Sequence, residues 1–182
     1  MAGGVETEIK LRVASAEEAR AALRGLGARL ARARHLEDNT LFDHPRLGLF
    51  ASGTVLRVRR VPGEARLTYK GARRDHEGVK SRTEHELEVG DADALCAVLA
   101  ALGFRPGFRY QKYRETYLWR SVEIVVDETP LGPFLEIEGP PDAIHEAAAA
   151  LGRSRSEYLT DSYASLWRSA GHPGDMVFAD GG

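Results

Sequence analysis

Glu6, Glu8 and Lys10 have the residue types and the spacing that best suit chemistry in this chain. They are separated by Thr7 and Ile9 and form an E-x-E-x-K run in a segment with the character of a β-strand. Side chains alternate across a strand, so the three charged groups share one face. Divalent cations such as Mg²⁺ take oxygen ligands, and lysine pairs with phosphoryl oxygens. The run predicts a site for a divalent cation and a phosphate, with a solvated strand face as the alternative.

The same alternation of charged and apolar residues returns along the chain. Several further segments each carry their charged residues on one side. These residues are Arg57 and Arg59; Lys70; Arg82, Glu84, Glu86 and Glu88; Lys112 and Arg114; Glu123 and Asp127; and Glu136 and Glu138. The opposite face is mostly apolar, with Leu56 and Val58, Leu67 and Tyr69, Leu87 and Val89, Val122, Ile124 and Val126, and Leu135 and Ile137. A sheet buries its apolar face against other elements, here helices. The charged faces then look inward.

An antiparallel sheet that closes around its charged face forms a tunnel with walls of both signs. Closure removes the unpaired strand edges that would otherwise recruit other chains. Because a charge removed from water must be paired or ligated, such a crowded interior implies a charged ligand. The pattern therefore predicts an α+β fold in which helices cover an antiparallel β-barrel.

Helical spacing and capping residues locate the covering helices. They are predicted from the Ser15 and Glu18 capping box to Gly27, from Asp91 to Gly103, from Asp142 to Gly152, and from about Ser156 to Ser169. The last helix holds Tyr158, Leu159, Tyr163, Leu166 and Trp167, and we expect its apolar stripe to pack on the barrel rather than contact a ligand.

An internal repeat supports a single pseudo-symmetric domain. A shift of 76 positions places Glu8 on Glu84, Leu23 on Leu99, Gly27 on Gly103 and Thr40 on Thr116. We predict one domain over residues 1–170 and a flexible tail over 171–182. The polar stretch 71–78 is predicted to be a loop at the tunnel rim, and His76 within it is interpreted as a surface residue.

Composition excludes several classes of function. The 182 residues carry a net charge of −2, which gives no general attraction to nucleic acid or to anionic membranes. Cys96 is the single cysteine, no pair of histidines has zinc-ligand spacing, and no apolar stretch is long enough to span a bilayer. We expect a cytoplasmic protein with a small-molecule partner.

Seven motifs occur in the order found in one superfamily. They are Glu6-Thr7-Glu8-Ile9-Lys10, Leu56-Arg57-Val58-Arg59, Leu67-Thr68-Tyr69-Lys70-Gly71, Arg82-Thr83-Glu84-His85-Glu86, Lys112-Tyr113-Arg114, Asp127, and Phe134-Leu135-Glu136-Ile137-Glu138. Together they resemble the CYTH superfamily, the triphosphate tunnel metalloenzymes, over roughly Val5 to Trp167. The stretch from Asp38 to Gly71 is most similar to the bacterial class IV adenylyl cyclase branch.

The resemblance implies an eight-stranded antiparallel tunnel that binds ATP or another triphosphate with Mg²⁺ or Mn²⁺. By position, it implies triphosphate contacts from Lys10, Arg57, Arg59, Lys70, Arg82, Lys112 and Arg114. It implies metal ligands at Glu6, Glu8, Glu136 and Glu138, and further ligands or orienting partners at Glu84, Glu86 and Asp127. Glu6, Glu8, Lys10 and Lys70 are the predicted catalytic residues.

Three functions remain open at the level of sequence. The branch resemblance favours an adenylyl cyclase that converts ATP to cyclic AMP and pyrophosphate. A triphosphatase acting on inorganic triphosphate, thiamine triphosphate or a nucleoside triphosphate would use the same residues. A non-catalytic binder of polyphosphate or nucleotides is the third interpretation, and the four retained metal-ligand candidates count against it. A homodimer is also left open.

Overall fold

The computed structural model describes residues 4–76 and 79–179. Its elements are β1 (Gly4–Arg12), α1 (Ala16–Gly25), β2 (Arg29–Asp43), β3 (Val55–Val61), β4 (Glu64–Lys70), β5 (Arg74–His76), β6 (Val79–Val89), α2 (Ala92–Ala101), β7 (Arg105–Trp119), β8 (Val122–Thr129), β9 (Gly132–Glu138), α3 (Pro141–Ala150), a 3₁₀ turn (Arg155–Glu157) and α4 (Tyr163–Ser169). No helix in the described ranges has the length and apolar character needed to cross a membrane.

Eight antiparallel strands close into a barrel. Around the ring they follow the order β1-β9-β8-β7-β2-β3-β4-β6, and β6 returns to pair with β1. Glu6 lies opposite Arg82 in the closing pair of strands, and Lys10 lies opposite Glu136 in the β1–β9 pair. The short β5 adds three residues to the edge of β6. The predicted barrel is therefore confirmed.

The two halves of the chain form a structural repeat. Shifting α1 by 76 positions gives the bounds of α2, and the same shift of β2 gives the bounds of β7. In the β1–β6 pair, Glu6 lies directly opposite Arg82, and these two residues are themselves 76 positions apart. The predicted duplication thus corresponds to an approximate two-fold axis through the barrel wall.

The hydrophobic core lies between the outer face of the barrel and the helices. Ile9, Ile124 and Ile137 pack against Leu23 of α1 and Ile144 of α3. Helix α1 begins where the Ser15 side chain accepts the amide of Glu18, as its sequence predicts. A second apolar cluster lies beneath α2. The helices leave the outer faces of β4 and β6 partly open, where Tyr69 and Leu87 are exposed.

The end of the chain differs from its sequence prediction. The long last helix was wrong in extent, because residues 158–162 are not helical and Leu159 pairs with Lys10 through two backbone hydrogen bonds of 2.8 and 2.9 Å. The expected frayed tail also makes defined contacts, since Met176 is fully buried beside Tyr110 on β7. Of the predicted loop over 71–78, residues 74–76 form β5. Residues 77 and 78 lie outside the described ranges.

A candidate triphosphate tunnel

The barrel encloses a cavity of about 550 Å³ whose lining is mostly charged. Alternation along each strand turns one set of side chains into this cavity, so the lining follows directly from strand register. Apart from Asp127, the predicted site residues all line it, namely Glu6, Glu8, Lys10, Arg57, Arg59, Lys70, Arg82, Glu84, Glu86, Lys112, Arg114, Glu136 and Glu138. The structure brings them together, and their individual roles remain predictions.

Carboxylates predominate on two neighbouring strands of the tunnel, and basic side chains predominate on two others. We call Glu6 and Glu8 of β1 with Glu136 and Glu138 of β9 the acidic wall. We call Arg57 and Arg59 of β3 with Lys112 and Arg114 of β7 the basic wall. Strand β9 lies four strands from β3 in either direction around the ring, so these two strands face each other across the cavity. A guest between them meets carboxylates on one side and guanidinium groups on the other.

Lysines neutralise much of the acidic wall. The Nζ atom of Lys70 lies 2.6 Å from both carboxylate oxygens of Glu6. Lys80 Nζ donates to one oxygen of Glu8, and Lys10 Nζ lies 2.7 Å from Glu136. Burial would raise the pKa of the Glu8 carboxyl, but the surrounding lysines, Lys80 first, lower it to about 2. Glu8 is therefore ionised at neutral pH.

Glu138 is the exception on the acidic wall. Within the described part of the chain, no cation lies within ion-pair distance of its side chain. Glu138 is partly exposed, but the surrounding protein removes enough of its hydration to disfavour the ionised carboxylate. The negative charges of Glu6 and Glu8 disfavour it further. The pKa of Glu138 consequently rises to about 8. A carboxyl group beside two others, short of positive charge, suits a divalent cation with oxygen ligands.

The basic wall is held by two carboxylates that are almost inaccessible to solvent. Asp127 on β8 is fully buried and accepts hydrogen bonds from Lys112 Nζ at 2.8 Å, Arg114 Nε at 2.7 Å and the Tyr163 hydroxyl at 2.8 Å. Glu37 on β2 is 2% exposed and lies 3.0 Å from Arg59. These bonds fix the directions in which the cationic groups point.

Glu37 ionises readily despite its burial. Burial alone would raise the pKa of this carboxyl, but Arg59, Lys112 and Arg114 hold it well below its usual range. Its second oxygen lies 3.6 Å from Lys112. Glu37 therefore offsets part of the charge of the basic wall from within.

Arg82 differs from the other tunnel cations. It is 9% exposed and lines the cavity, and its Nε atom lacks a hydrogen-bond partner. No carboxylate of residues 4–76 or 79–179 forms an ion pair with it. A buried cation without a partner is costly unless an anion joins it. Arg82 is thus a ready point of attachment for an anionic guest.

Sequence reasoning missed or misplaced several residues of the tunnel, and four of them matter for its chemistry. Asp127 lies behind the wall instead of lining the cavity, so of its two predicted roles the orienting one fits its contacts. Tyr163 lines the cavity, contrary to the expectation that the last helix has only a packing role. Glu37 and Lys80 also line the cavity and were not predicted. Lys80 shares strand parity with Arg82, so extending that run by two residues would have found it.

The fold and the charged tunnel together define a class of protein. Residues 4–163 match the CYTH domain family, and the chain belongs to that family. The family binds triphosphates in its tunnel and depends on divalent metals. The chain has no significant match among curated proteins.

Several solved structures share the fold of this chain. The protein PH1819 from Pyrococcus horikoshii OT3 is 30% identical, with a TM-score of 0.76 over 91% of this chain and 99% of that one. A candidate adenylate cyclase from Vibrio parahaemolyticus shares the fold at 17% identity, with a TM-score of 0.80 over 92% and 99% of the two chains. HpAC1 from Hippeastrum, a candidate adenylyl cyclase described as having a dominant triphosphatase activity, shares it at 20% identity, with a TM-score of 0.67 over 93% and 96%.

Proposed function

We propose that this protein hydrolyses a short linear triphosphate with the help of Mg²⁺ or Mn²⁺, and that inorganic triphosphate is the simplest substrate. The observation that carries this proposal is the cluster of cations at the basic wall and Arg82, facing the carboxylates of the acidic wall. A triphosphate is a chain of anionic groups, so it can bind several of these cations at once. The carboxylates on the acidic side would hold a metal ion, which would supply further neutralisation of the triphosphate charge.

Each wall has a distinct task in this reaction. Glu6, Glu8, Glu136 and Glu138 supply the carboxylate oxygens that a divalent cation takes as ligands, and such a cation, when bound, would neutralise phosphoryl oxygens and lower the pKa of a bound water. The basic wall binds the phosphates and stabilises the charge that develops on the leaving group. Asp127 keeps Lys112 and Arg114 aimed into the tunnel. The chain thereby positions the substrate before the bond breaks.

Cyclisation of ATP is the second candidate. Leu41 and Val55 give the lining an apolar patch beside Arg57, and a nucleobase could lie there while its phosphates reach the cations. In that reaction the 3′-hydroxyl of the ribose attacks the α-phosphorus and pyrophosphate leaves. The resemblance of residues 38–71 to the class IV cyclase branch also favours it. We rank it second because charged groups dominate the rest of the lining.

A product assay separates these reactions. The protein is incubated with inorganic triphosphate or ATP, with Mg²⁺ or Mn²⁺, and orthophosphate, pyrophosphate and cyclic AMP are separated by chromatography. Orthophosphate and pyrophosphate from triphosphate, lost in Glu8→Gln but retained in Glu17→Gln at an exposed position of α1, would support hydrolysis. Cyclic AMP and pyrophosphate from ATP would favour the cyclase. Binding of triphosphate without any product would overturn both reactions.

A further inference from the structure

Two lysines occupy the space in which a metal ion would meet the E-x-E carboxylates. Lys70 contacts both oxygens of Glu6 and also lies 2.9 Å from Glu84. Lys80 donates to a single oxygen of Glu8. Both lysines line the cavity, and Lys80 is only 7% exposed. The carboxylates thus have internal counter-ions.

The arrangement of the candidate metal ligands is also relevant. In the described ranges, no group of three or more acidic, histidine or cysteine side chains is arranged to hold a metal ion as it stands. The donors are present, but ammonium groups are bound to them. A metal ion must therefore compete with lysine for Glu6 and Glu8.

We propose that Lys80, assisted by Lys70, is an exchangeable counter-ion. A divalent cation takes its place at Glu8, and the released ammonium group turns to a phosphoryl oxygen of the guest. Metal and triphosphate then strengthen each other's binding, because each relieves a charge that the other leaves unpaired. The inference rests on the proposed function for the choice of triphosphate as guest.

The chemistry of lysine suits this exchange. Its ammonium group is compact and sits on a flexible four-carbon stem, whereas arginine binds carboxylates through a rigid, two-pronged contact. Among the described residues, Lys80 forms an ion pair with one carboxylate, that of Glu8, so a single contact must break. Lys112, in contrast, is held by Asp127 at 2.8 Å and Glu37 at 3.6 Å. Lys80 can therefore move at lower cost than Lys112.

The test measures binding of the two guests separately. Mn²⁺ alone is titrated by electron paramagnetic resonance, and inorganic triphosphate is titrated by calorimetry in the presence of a chelator. In Lys80→Gln we expect Mn²⁺ to bind about tenfold more tightly and triphosphate about tenfold more weakly than in the wild type, as close charge pairs of this kind commonly show. Lys80→Arg keeps the charge but strengthens the carboxylate contact, so Mn²⁺ should bind no more tightly than to the wild type.

Lys112→Gln is the matched control, because it removes the same charge from the same cavity. It should weaken triphosphate binding without the gain in Mn²⁺ affinity. Equal gains in Lys80→Gln and Lys112→Gln would reflect only the general potential of the tunnel and would overturn the proposal. An unchanged Mn²⁺ affinity in a folded Lys80→Gln protein would also overturn it. If the expected shifts appear but no triphosphate is hydrolysed, the proposed reaction fails and the counter-ion role stands.

Discussion

The acidic and basic walls of the tunnel are neutralised in different ways. Across the acidic wall, the partners of Glu6 and Glu8 are the lysines Lys70 and Lys80, which also line the cavity. Across the basic wall, Lys112 and Arg114 are held by Asp127, which is sealed behind the barrel wall. Glu6 and Glu8 are thus paired inside the cavity, whereas Lys112 and Arg114 share a partner behind the wall. The basic wall also has partners inside the cavity, since Arg114 donates to Glu136 and Arg57 donates to Glu86.

This difference separates preorganisation from exchange. Groups fixed by buried partners keep their positions when a ligand arrives, so the basic wall is ready to receive phosphates. Carboxylates that are paired within the cavity can exchange one cation for another, so the acidic wall is suited to reversible binding of a metal ion. Removing a carboxylate from the acidic wall should therefore impair activity more than stability, and removing one behind the basic wall should do the reverse.

The largest effect is expected from the acidic wall. Glu8→Gln should lower the metal-dependent kcat by about 10²–10³-fold, the scale seen when one group that stabilises developing charge is lost. The fold should survive, because burial already lowers the pKa of Lys80, and this reduces the cost of leaving its ammonium group without Glu8. Steady-state kinetics and thermal unfolding measure the two quantities. Undiminished kcat would place the metal site elsewhere.

Asp127→Asn tests the support behind the basic wall. It leaves Lys112 and Arg114 without their shared buried carboxylate, and the free energy of unfolding should fall by about 3–5 kcal/mol. Denaturant titration measures this loss. Glu123→Gln makes a similar change at an exposed position of the same strand and should be nearly neutral. A stable Asp127→Asn protein would show that the basic wall does not depend on that carboxylate.

Arg82→Gln tests a cation that belongs to neither pattern. Because Arg82 has no described carboxylate partner, its loss should weaken triphosphate binding about tenfold, or about 1.4 kcal/mol, without lowering stability. Calorimetry in a chelator and thermal unfolding give the two values. The matched change Arg105→Gln, at an exposed position of β7, should leave both unchanged. Loss of stability without loss of affinity would mean that Arg82 is structural.

The smallest effect is expected in the dependence of stability on pH. The folded-state pKa of Glu37 lies well below its ordinary value of 4.5, so its contribution to stability is present above that value and is lost as the pH falls below it. Glu37→Gln should flatten this acid limb of the unfolding free energy measured between pH 6 and pH 3, a window of about three units. Glu17→Gln should retain the wild-type slope. Identical acid limbs in all three proteins would contradict the assignment.

Much of the fold could be predicted because its signals are local. Alternation along single strands identified the inward faces. The residues to which the family resemblance gave triphosphate or metal roles, apart from Asp127, lie in one cavity. Ser15 and Asp91 begin helices where their side chains accept backbone amides, as capping chemistry requires. The repeat of 76 positions was also visible in sequence.

Other features depend on contacts between distant segments. Met176 is buried against the edge of β7 beyond the end of its pairing with β8, and no local pattern around Gly174 signals this. Tyr163 enters the cavity because the segment before it pairs with Lys10, more than 140 positions away in the chain. Short segments of this kind are held in place by backbone hydrogen bonds to strands that are distant in sequence.

The sequence by itself determined that this chain builds a barrel with one charged face and one apolar face, because alternation is a property of each strand alone. Which charges meet was decided by tertiary structure, because partners depend on the register between strands. The pairing of Glu8 with Lys80, the burial of Asp127 beneath Lys112 and the lack of a described partner for Arg82 all arise from that register. The charged composition of the tunnel thus follows from the sequence of each strand, and its ion pairs follow from the alignment of neighbouring strands.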